Sequence, residues 1–299
     1  MSEPVFGRLV AAMVTPLDEN LNVDLDRAQA LAKRLVDGGC DALAVCATTG
    51  EAPTLHHAEK LELFRAVSSA VGGRAKVIAY CGGNNTEASC ADAKEYAALG
   101  CIDGFLTVVP YYNKPPQAGL VQHFTAIANA APDVPMLMYN IPGRCGINMT
   151  AETALALAHG VDNIVGIKEA SSKMDQIATI AKEAPSDFCV YSGNDDEVLQ
   201  IMGLGGVGVV STIANVAPAR YKEVIDLYVA GKEEEAQVAL EALRPLMKEL
   251  FITANPIMAK EALDILGFGV GGVKLPLVKA NAEQRAGMEE VLRQVGDIR

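Results

Sequence analysis

Short apolar segments alternate along the chain with longer segments in which apolar residues recur at helical spacing. Continuous apolar strands joined by helices are typical of a parallel sheet that is buried on both faces. The predicted strands are Arg8–Val14, Ala42–Val45, Lys76–Tyr80, Gly104–Val109, Pro135–Asn140, Ile164–Lys168, Phe188–Ser192 and Val207–Ser211. Strict alternation of these strands with helices predicts an α/β fold of the closed (β/α)8, or TIM-barrel, type. An open doubly wound sheet is the alternative architecture.

The pattern changes after residue 231, where apolar residues continue at helical spacing without further strand-like segments. The helices predicted there are Glu233–Thr253, Pro256–Leu266 and Ala282–Val295. A chain of 299 residues accommodates a complete barrel with an addition. We therefore predict a barrel over residues 1–231 and a helical C-terminal region over residues 232–299 that packs on it.

The amino-acid composition limits the kinds of partner that the protein can bind and the compartment in which we expect it. The formal net charge of −12 argues against binding to nucleic acid or to an anionic membrane surface, which requires clustered Lys and Arg. The seven cysteines are scattered, with no Cys-x-x-Cys pair, as expected of reduced thiols in the cytoplasm. The start Met-Ser-Glu-Pro has no signal-peptide character, and no apolar run is long enough for a membrane helix. We expect a cytoplasmic protein.

Lys168 ends the sixth predicted strand, inside an otherwise apolar run. Burial disfavours the ammonium form, so a lysine held there loses its proton more readily and becomes a nucleophilic amine. Tyr139, at the end of the fifth strand, could exchange protons with the product of that amine. The alternative is a structural lysine that extends to solvent or pairs with Glu169.

Other strand ends carry further polar groups, and in a barrel all of these ends face one mouth. A Schiff base, carboxylate binding and proton transfer could all be provided there without a metal or other cofactor. Each group also has a structural alternative: a turn cap for the threonines, a subunit interface for the tyrosines, and a surface loop for the arginine. Asp195-Asp196-Glu197 is interpreted as the acidic start of a helix. The candidates are Thr48 and Thr49, Tyr111 and Tyr112, and Arg144.

Several motifs together resemble the dihydrodipicolinate synthase family, within the superfamily of pyruvate-dependent aldolases that includes N-acetylneuraminate lyase. The resemblance extends over nearly the whole chain. The arginine after Tyr-Asn-Ile-Pro-Gly is not general in the wider superfamily. The motifs are Ala-Thr-Thr-Gly-Glu at 47–51, Pro-Tyr-Tyr-Asn at 110–113, Tyr-Asn-Ile-Pro-Gly-Arg at 139–144 and Gly-Ile-Lys-Glu-Ala at 166–170.

The resemblance implies a lyase-type enzyme that condenses pyruvate with aspartate semialdehyde in diaminopimelate and lysine synthesis. Lys168 would form the Schiff base, with Tyr139, Thr48 and Tyr112 as a proton relay. Thr49 would bind the pyruvate carboxylate and Arg144 that of the semialdehyde, while Gly193 and Val210 would line the pocket. Tyr111 would lie at a subunit interface, and Tyr112 would reach a neighbouring subunit. The implied assembly is a homotetramer, a dimer of dimers.

The chain departs from the family pattern at a few positions. Ala47 stands where many members have glycine, a mild change beside the threonines. The other departures concern regulation, since the chain keeps Asn84 and His57 of the family's lysine-effector pocket but differs elsewhere in it. Ala52, Lys60 and Ala88 stand where lysine-inhibited members often have serine, histidine and glutamate. We therefore expect weak or absent feedback inhibition by lysine.

Two alternative functions remain open from the sequence. The first is another pyruvate-dependent aldolase that cleaves a sialic or sugar acid, for which Arg144 has no obvious use. The second is a barrel that only binds a keto acid, which fold alone does not exclude.

Overall fold

The computed structural model describes residues 4–297. Eight strands close into one barrel in chain order, each hydrogen-bonded to the next. This confirms the (β/α)8 prediction over the open sheet. The strands are β1 (Leu9–Ala12), β2 (Ala42–Val45), β3 (Lys76–Tyr80), β4 (Gly104–Val108), β5 (Met136–Asn140), β6 (Ile164–Glu169), β7 (Cys189–Ser192) and β8 (Gly208–Ser211).

Helices follow the strands as predicted, with one addition, the single turn α5 after β5. None of the helices in residues 4–297 is both long enough and apolar enough to cross a membrane. The helices are α1 (Leu25–Asp37), α2 (His57–Val71), α3 (Thr86–Ala98), α4 (Gln117–Ala130), α5 (Pro142–Cys145), α6 (Ala151–Gly160), α7 (Met174–Glu183), α8 (Val198–Gly203), α9 (Pro218–Val229), α10 (Glu233–Glu249), α11 (Ile257–Ile265) and α12 (Ala282–Gln294).

The described residues form two compact units. One comprises residues 4–8 and 76–210, and the other comprises residues 9–75 and 211–297. The boundary predicted at residue 231, which separates a barrel from a C-terminal region, stays a prediction.

In the unit of residues 4–8 and 76–210, strands β3 to β8 run parallel and place three polar side chains in one row. Tyr139 pairs with Lys168, and Lys168 pairs with Tyr191. Paired residues of parallel strands point to the same face, so these three side chains share a side of the sheet. A Cβ atom at Gly166 would lie 2.3 Å from the carbonyl oxygen of Cys189. Glycine there allows β6 and β7 to approach closely.

In the unit of residues 9–75 and 211–297, α1 packs on α2, and a 3₁₀ turn, Ile213–Asn215, packs on β1. Helix α1 begins after Asp24, whose side chain accepts a hydrogen bond from the backbone N–H of Arg27 at 2.9 Å. Leu31 and Leu35 are buried on one face of α1, four residues apart as helical spacing requires. Helix α10 packs on α9 and α12, and α11 packs on α12. The C-terminal helices are thus built into this unit.

The cysteines are free thiols, as predicted. Burial raises the pKa of Cys40 and of Cys46 to about 12, so both remain protonated and unreactive near neutral pH. Cys90 and Cys101 are half-buried. The others are fully buried: Cys40, Cys46, Cys81, Cys145 and Cys189.

Candidate active site

Lys168 lies near the C-terminal end of β6 and is only 6% exposed. Burial lowers the pKa of its ammonium group from 10.5 to about 8; the charge of Asp195 opposes this shift and that of Arg144 adds to it. The structure therefore excludes the alternative of a lysine extended into solvent. A lysine with this pKa is about one-tenth neutral amine at pH 7.

The ring of Tyr139 covers the Lys168 amine. The nitrogen Nζ lies 4.3 Å from the centre of the ring, and Tyr139 is itself buried. The contact follows directly from the pairing of Tyr139 with Lys168 across β5 and β6. A phenol beside an amine of lowered pKa is a suitable arrangement for proton transfer.

Glu169 is directed away from Lys168, because consecutive residues of a strand point to opposite faces. Its buried carboxylate accepts hydrogen bonds from Asn140 Nδ2 at 2.8 Å and Gln176 Nε2 at 3.0 Å. Burial raises the pKa of this carboxyl, and these hydrogen bonds partly offset the rise. The predicted alternative, a Lys168–Glu169 pair, is therefore wrong.

Arg144 lies on α5, which the sequence analysis had treated as a short loop. Pro142 occupies the first helical position, and Gly146 ends the turn with a positive φ of 71°. This is the usual placing of proline and glycine at helix ends. The following segment is attached to β5, since the backbone N–H of Met149 donates to Asn140 Oδ1 at 3.0 Å. Arg144 is exposed, yet close enough for its charge to lower the pKa of Lys168.

Gly193 and Asp195 follow β7. The N–H of Gly193 donates to the carbonyl oxygen of Glu169 at 2.7 Å, and a Cβ atom at Gly193 would lie 2.6 Å from the Cβ of Ala170. A side chain at 193 would therefore push β7 away from the end of β6. Val210 is buried in β8.

Asp195 is a functional candidate that the sequence analysis missed. It does begin a short 3₁₀ turn, Asp195–Glu197, before α8, as predicted. It is also buried, and its charge raises the pKa of Lys168. The available signal was its position directly after a barrel strand, where the active sites of barrel enzymes lie.

Tyr111 and Tyr112 follow β4 and are both exposed, Tyr112 to 87%. Tyr112 has a positive φ of 74°, and its N–H donates to the Cys145 carbonyl oxygen at 3.4 Å. Asn84 Nδ2 donates to the carbonyl oxygen of Tyr111 at 3.3 Å. The backbone of this loop is therefore fixed while the side chain of Tyr112 projects outward.

Tyr80, at the end of β3, was also missed. Burial raises the pKa of its phenol well above 10, and the neighbouring Tyr111, Cys145 and Tyr139 add to the rise. The phenol therefore stays protonated as a hydrogen-bond donor near neutral pH. The available signal was its position at the end of a predicted strand, as for Tyr139, although an aromatic residue is ordinary in a strand.

Thr48 and Thr49 lie in the other unit, in the turn after β2. Thr49 is buried, and its hydroxyl accepts a hydrogen bond from Asn255 Nδ2 at 2.8 Å. Thr48 is half-buried, and its carbonyl oxygen accepts from the N–H of Glu51 at 3.1 Å. Thr15 Oγ1 donates to the carbonyl oxygen of Gly50 at 2.7 Å. The turn is therefore held by several groups outside it.

Residues 5–295 match the sequence profile of the dihydrodipicolinate synthetase family. The chain belongs to this family. It is 48% identical to the 4-hydroxy-tetrahydrodipicolinate synthase of Moorella thermoacetica, over 97% of this chain and 99% of that protein. The corresponding enzyme of Cyanothece sp. is 46% identical over 97% and 98% of the two chains. Family membership confirms the resemblance found in the motifs.

A solved structure has the same fold. The crystal structure of DHDPS from Cyanidioschyzon merolae with lysine bound superposes with a TM-score of 0.97 at 45% sequence identity. The match covers 99% of this chain and 100% of that one. The expectation of weak inhibition by lysine stays a prediction for the present chain.

Proposed function

We propose that the protein is a 4-hydroxy-tetrahydrodipicolinate synthase that joins pyruvate to L-aspartate 4-semialdehyde through a Schiff base on Lys168. The observation that carries the proposal is the buried amine of Lys168, 4.3 Å from the Tyr139 ring centre and with a pKa lowered to about 8. Relatives named 4-hydroxy-tetrahydrodipicolinate synthase match this chain over almost its whole length, which supports the proposal.

In the proposed reaction the neutral Lys168 amine attacks the ketone carbon of pyruvate, and water leaves to give an iminium ion. The positive iminium withdraws electrons, so the methyl group loses a proton and an enamine forms. The enamine carbon then attacks the aldehyde carbon of the semialdehyde, whose oxygen becomes a hydroxyl group. Tyr139 carries protons to and from these intermediates. The substrate amine finally displaces Lys168, which closes the product ring and frees the enzyme.

The remaining candidates have binding and relay roles in this proposal. Thr49 binds the pyruvate carboxylate, and the planar guanidinium of Arg144 binds that of the semialdehyde with two parallel hydrogen bonds. Thr48 and Tyr112 complete the proton relay with Tyr139. Two further residues, Gly193 and Val210, line the pocket.

A homo-oligomer is part of the proposal. The side chain of Tyr112 projects outward on a loop whose backbone is fixed, which suits a residue that acts in a neighbouring subunit. Tyr111, on the same loop, is proposed to lie at that interface. The proposed assembly is a tetramer formed as a dimer of dimers, and the proposed location is the cytoplasm.

Borohydride trapping tests the chemistry. The protein is incubated with pyruvate and borohydride, digested, and analysed by mass spectrometry. The reduced adduct is expected on Lys168, and an adduct on any other residue would refute the mechanism.

Condensation with aspartate semialdehyde is then measured for the unaltered protein and for Arg144→Ala. The variant should keep the pyruvate adduct and lose about 10²-fold or more in kcat/KM for the semialdehyde. Full activity in Arg144→Ala would favour another aldolase.

A further inference from the structure

The turn that carries Thr48 and Thr49 lies between two residues in the left-handed backbone conformation. Cys46 and Glu51 both have φ near 57°, although neither is glycine. Such conformations are unfavourable and persist only where the surroundings enforce them. At Gly50, an added Cβ would lie 3.0 Å from Cys46 Cα and 3.1 Å from the Met13 carbonyl oxygen. The turn is therefore tightly folded and depends on outside contacts.

A buried ion pair supplies one of these contacts. Oε1 of Glu51 lies 2.5 Å from Lys260 Nζ, and the two side chains are 2% and 3% exposed. Glu51 Oε2 accepts a hydrogen bond from the backbone N–H of Lys274 at 2.9 Å. Lys260 also donates to the carbonyl oxygen of Gly272 at 2.6 Å. The carboxylate at the end of the turn is thus attached both to helix α11 and to the segment that follows it.

Asn255 supplies a second, independent contact. It lies just before α11, and its amide nitrogen donates to the Thr49 hydroxyl at 2.8 Å, with both residues buried. Because Asn255 uses a lone pair of Thr49 Oγ1, the hydroxyl proton is directed to another acceptor. The turn is thereby fixed at Thr49 and at Glu51 by residues more than 200 positions later in the chain.

The chemistry of the pair argues for a geometric role. A buried ion pair is often no more stabilising than apolar side chains of similar volume, and its best-supported use is to fix one arrangement. The pKa of Lys260 is lowered by burial, although the Glu51 carboxylate opposes the shift. The lysine therefore remains costly to bury even with its partner. The Glu51 carboxylate is held at both oxygens, at Oε1 by the Lys260 ammonium and at Oε2 by the backbone N–H of Lys274. An apolar side chain in place of Lys260 would leave Oε1 without a partner.

We infer that Asn255, Glu51 and Lys260 are positioning residues that hold Thr49 in the geometry that binds the carboxylate of the keto acid. This inference rests on the proposed function, in which Thr49 contacts pyruvate. It assigns to residues after 231 a role in substrate affinity. It also predicts a specific kinetic signature, because the turn is proposed to bind pyruvate and not the semialdehyde.

Asn255→Ala is the primary test, since it removes one neutral hydrogen bond and leaves no buried charge. The KM for pyruvate should rise about tenfold, as expected for loss of one buried hydrogen bond. The KM for the semialdehyde should stay within about twofold and kcat within about threefold. Lys260→Met should raise the pyruvate KM further, and Lys260→Arg should restore much of the loss. Borohydride trapping at saturating pyruvate should still modify Lys168 in each variant.

Arg285→Met is the matched control. Arg285 pairs with Asp264 at 2.9 Å and with Glu261, both on α11, so the variant also removes a cation from this helix. It should leave both KM values unchanged. If Lys260→Met does not fold, the pyruvate KM of Asn255→Ala tests the inference by itself. A normal pyruvate KM in Asn255→Ala, or an equal rise in both KM values, would overturn this inference alone. Absence of any adduct in the unaltered protein would overturn the proposed function and this inference with it.

Discussion

Lys168 and Lys260 are two buried lysines in different units of the molecule, and they have opposite surroundings. They are 6% and 3% exposed, and burial lowers the pKa of both. Lys260 lies 2.5 Å from a Glu51 carboxylate oxygen and donates to a backbone carbonyl. Lys168 faces the ring of Tyr139, and among residues 4–297 it forms no ion pair within 4 Å.

Burial alone therefore does not make a lysine a nucleophile. A carboxylate in contact favours the charged form of a lysine, and Lys260 directs two of its three N–H donors to Glu51 and to the Gly272 carbonyl oxygen. At Lys168 the negative charge of Asp195 opposes the effect of burial on the pKa and does not reverse it. The amine is therefore available to a carbonyl carbon, whereas the amine of Lys260 is committed to holding a turn.

The largest expected effect is on activity when Lys168 is replaced by Met. Loss of the nucleophile should reduce kcat by at least about 10³-fold and abolish the pyruvate adduct. Stability should rise, because an unpaired buried ammonium is removed. The pKa shift from 10.5 to about 8 corresponds to a gain on the order of 3 kcal/mol at neutral pH.

The pH dependence of the stability gain in Lys168→Met tests whether removal of the buried ammonium group causes it. The folded-state pKa of Lys168 lies below the unfolded value, so the unfolded chain binds the proton more tightly. The burial penalty is complete below pH 8 and is relieved as pH rises from about 8 towards 10.5. The free energies of unfolding of the unaltered protein and of Lys168→Met, measured by denaturant titration, should therefore converge over this range. A constant difference would show that the gain has another origin.

The second-largest expected effect is a loss of stability when Lys260 is replaced by Met. Glu51 would keep a buried charge without its partner, which costs about 3–5 kcal/mol. The double variant Glu51→Gln/Lys260→Met removes both charges and should recover a large part of this loss. Urea unfolding of the single and double variants measures the coupling. Equal stabilities of Lys260→Met and Lys168→Met would contradict the distinction drawn between the two lysines.

The smallest effect is a shift of the pH profile when Asp195 is replaced by Asn. The rate of adduct formation requires the neutral amine, so it should rise with pH to a plateau above about 8. The charge of Asp195 raises the pKa of Lys168, so its removal should move this rise to lower pH. The exposed neighbour in Asp196→Asn serves as the control and should leave the profile in place. An unmoved or upward-shifted profile in Asp195→Asn would show that its charge does not act on Lys168.

Much of the fold was predictable because each strand and helix carries a local pattern. Strands β2 and β3 have the predicted limits, Ala42–Val45 and Lys76–Tyr80. The closeness of Lys168 and Tyr139 was also predictable, since both end neighbouring parallel strands. The helical turn α5 was missed because four residues give too short a pattern to indicate a period.

The contacts that fix the site were not predictable from the sequence. Glu51 and Lys260 are 209 positions apart, and each reads locally as an ordinary surface charge. The same holds for Asn255 and Thr49, which meet only when the C-terminal helices are in place. Asp195 was assigned a helix-start role that is correct but incomplete, because a local pattern does not reveal which charge a side chain will face.

The pairing of Tyr139 with Lys168 has a consequence for how this protein could change over evolution. Their separation is set by the spacing of about 4.8 Å between adjacent strands, and no connecting loop takes part. The covalent chemistry is therefore insulated from insertions and substitutions in the loops. Arg144, on a helical turn beyond the strand end, has no such protection. Given the role proposed for Arg144, remodelling of that turn would change the aldehyde preference while the same amine and phenol are inherited intact.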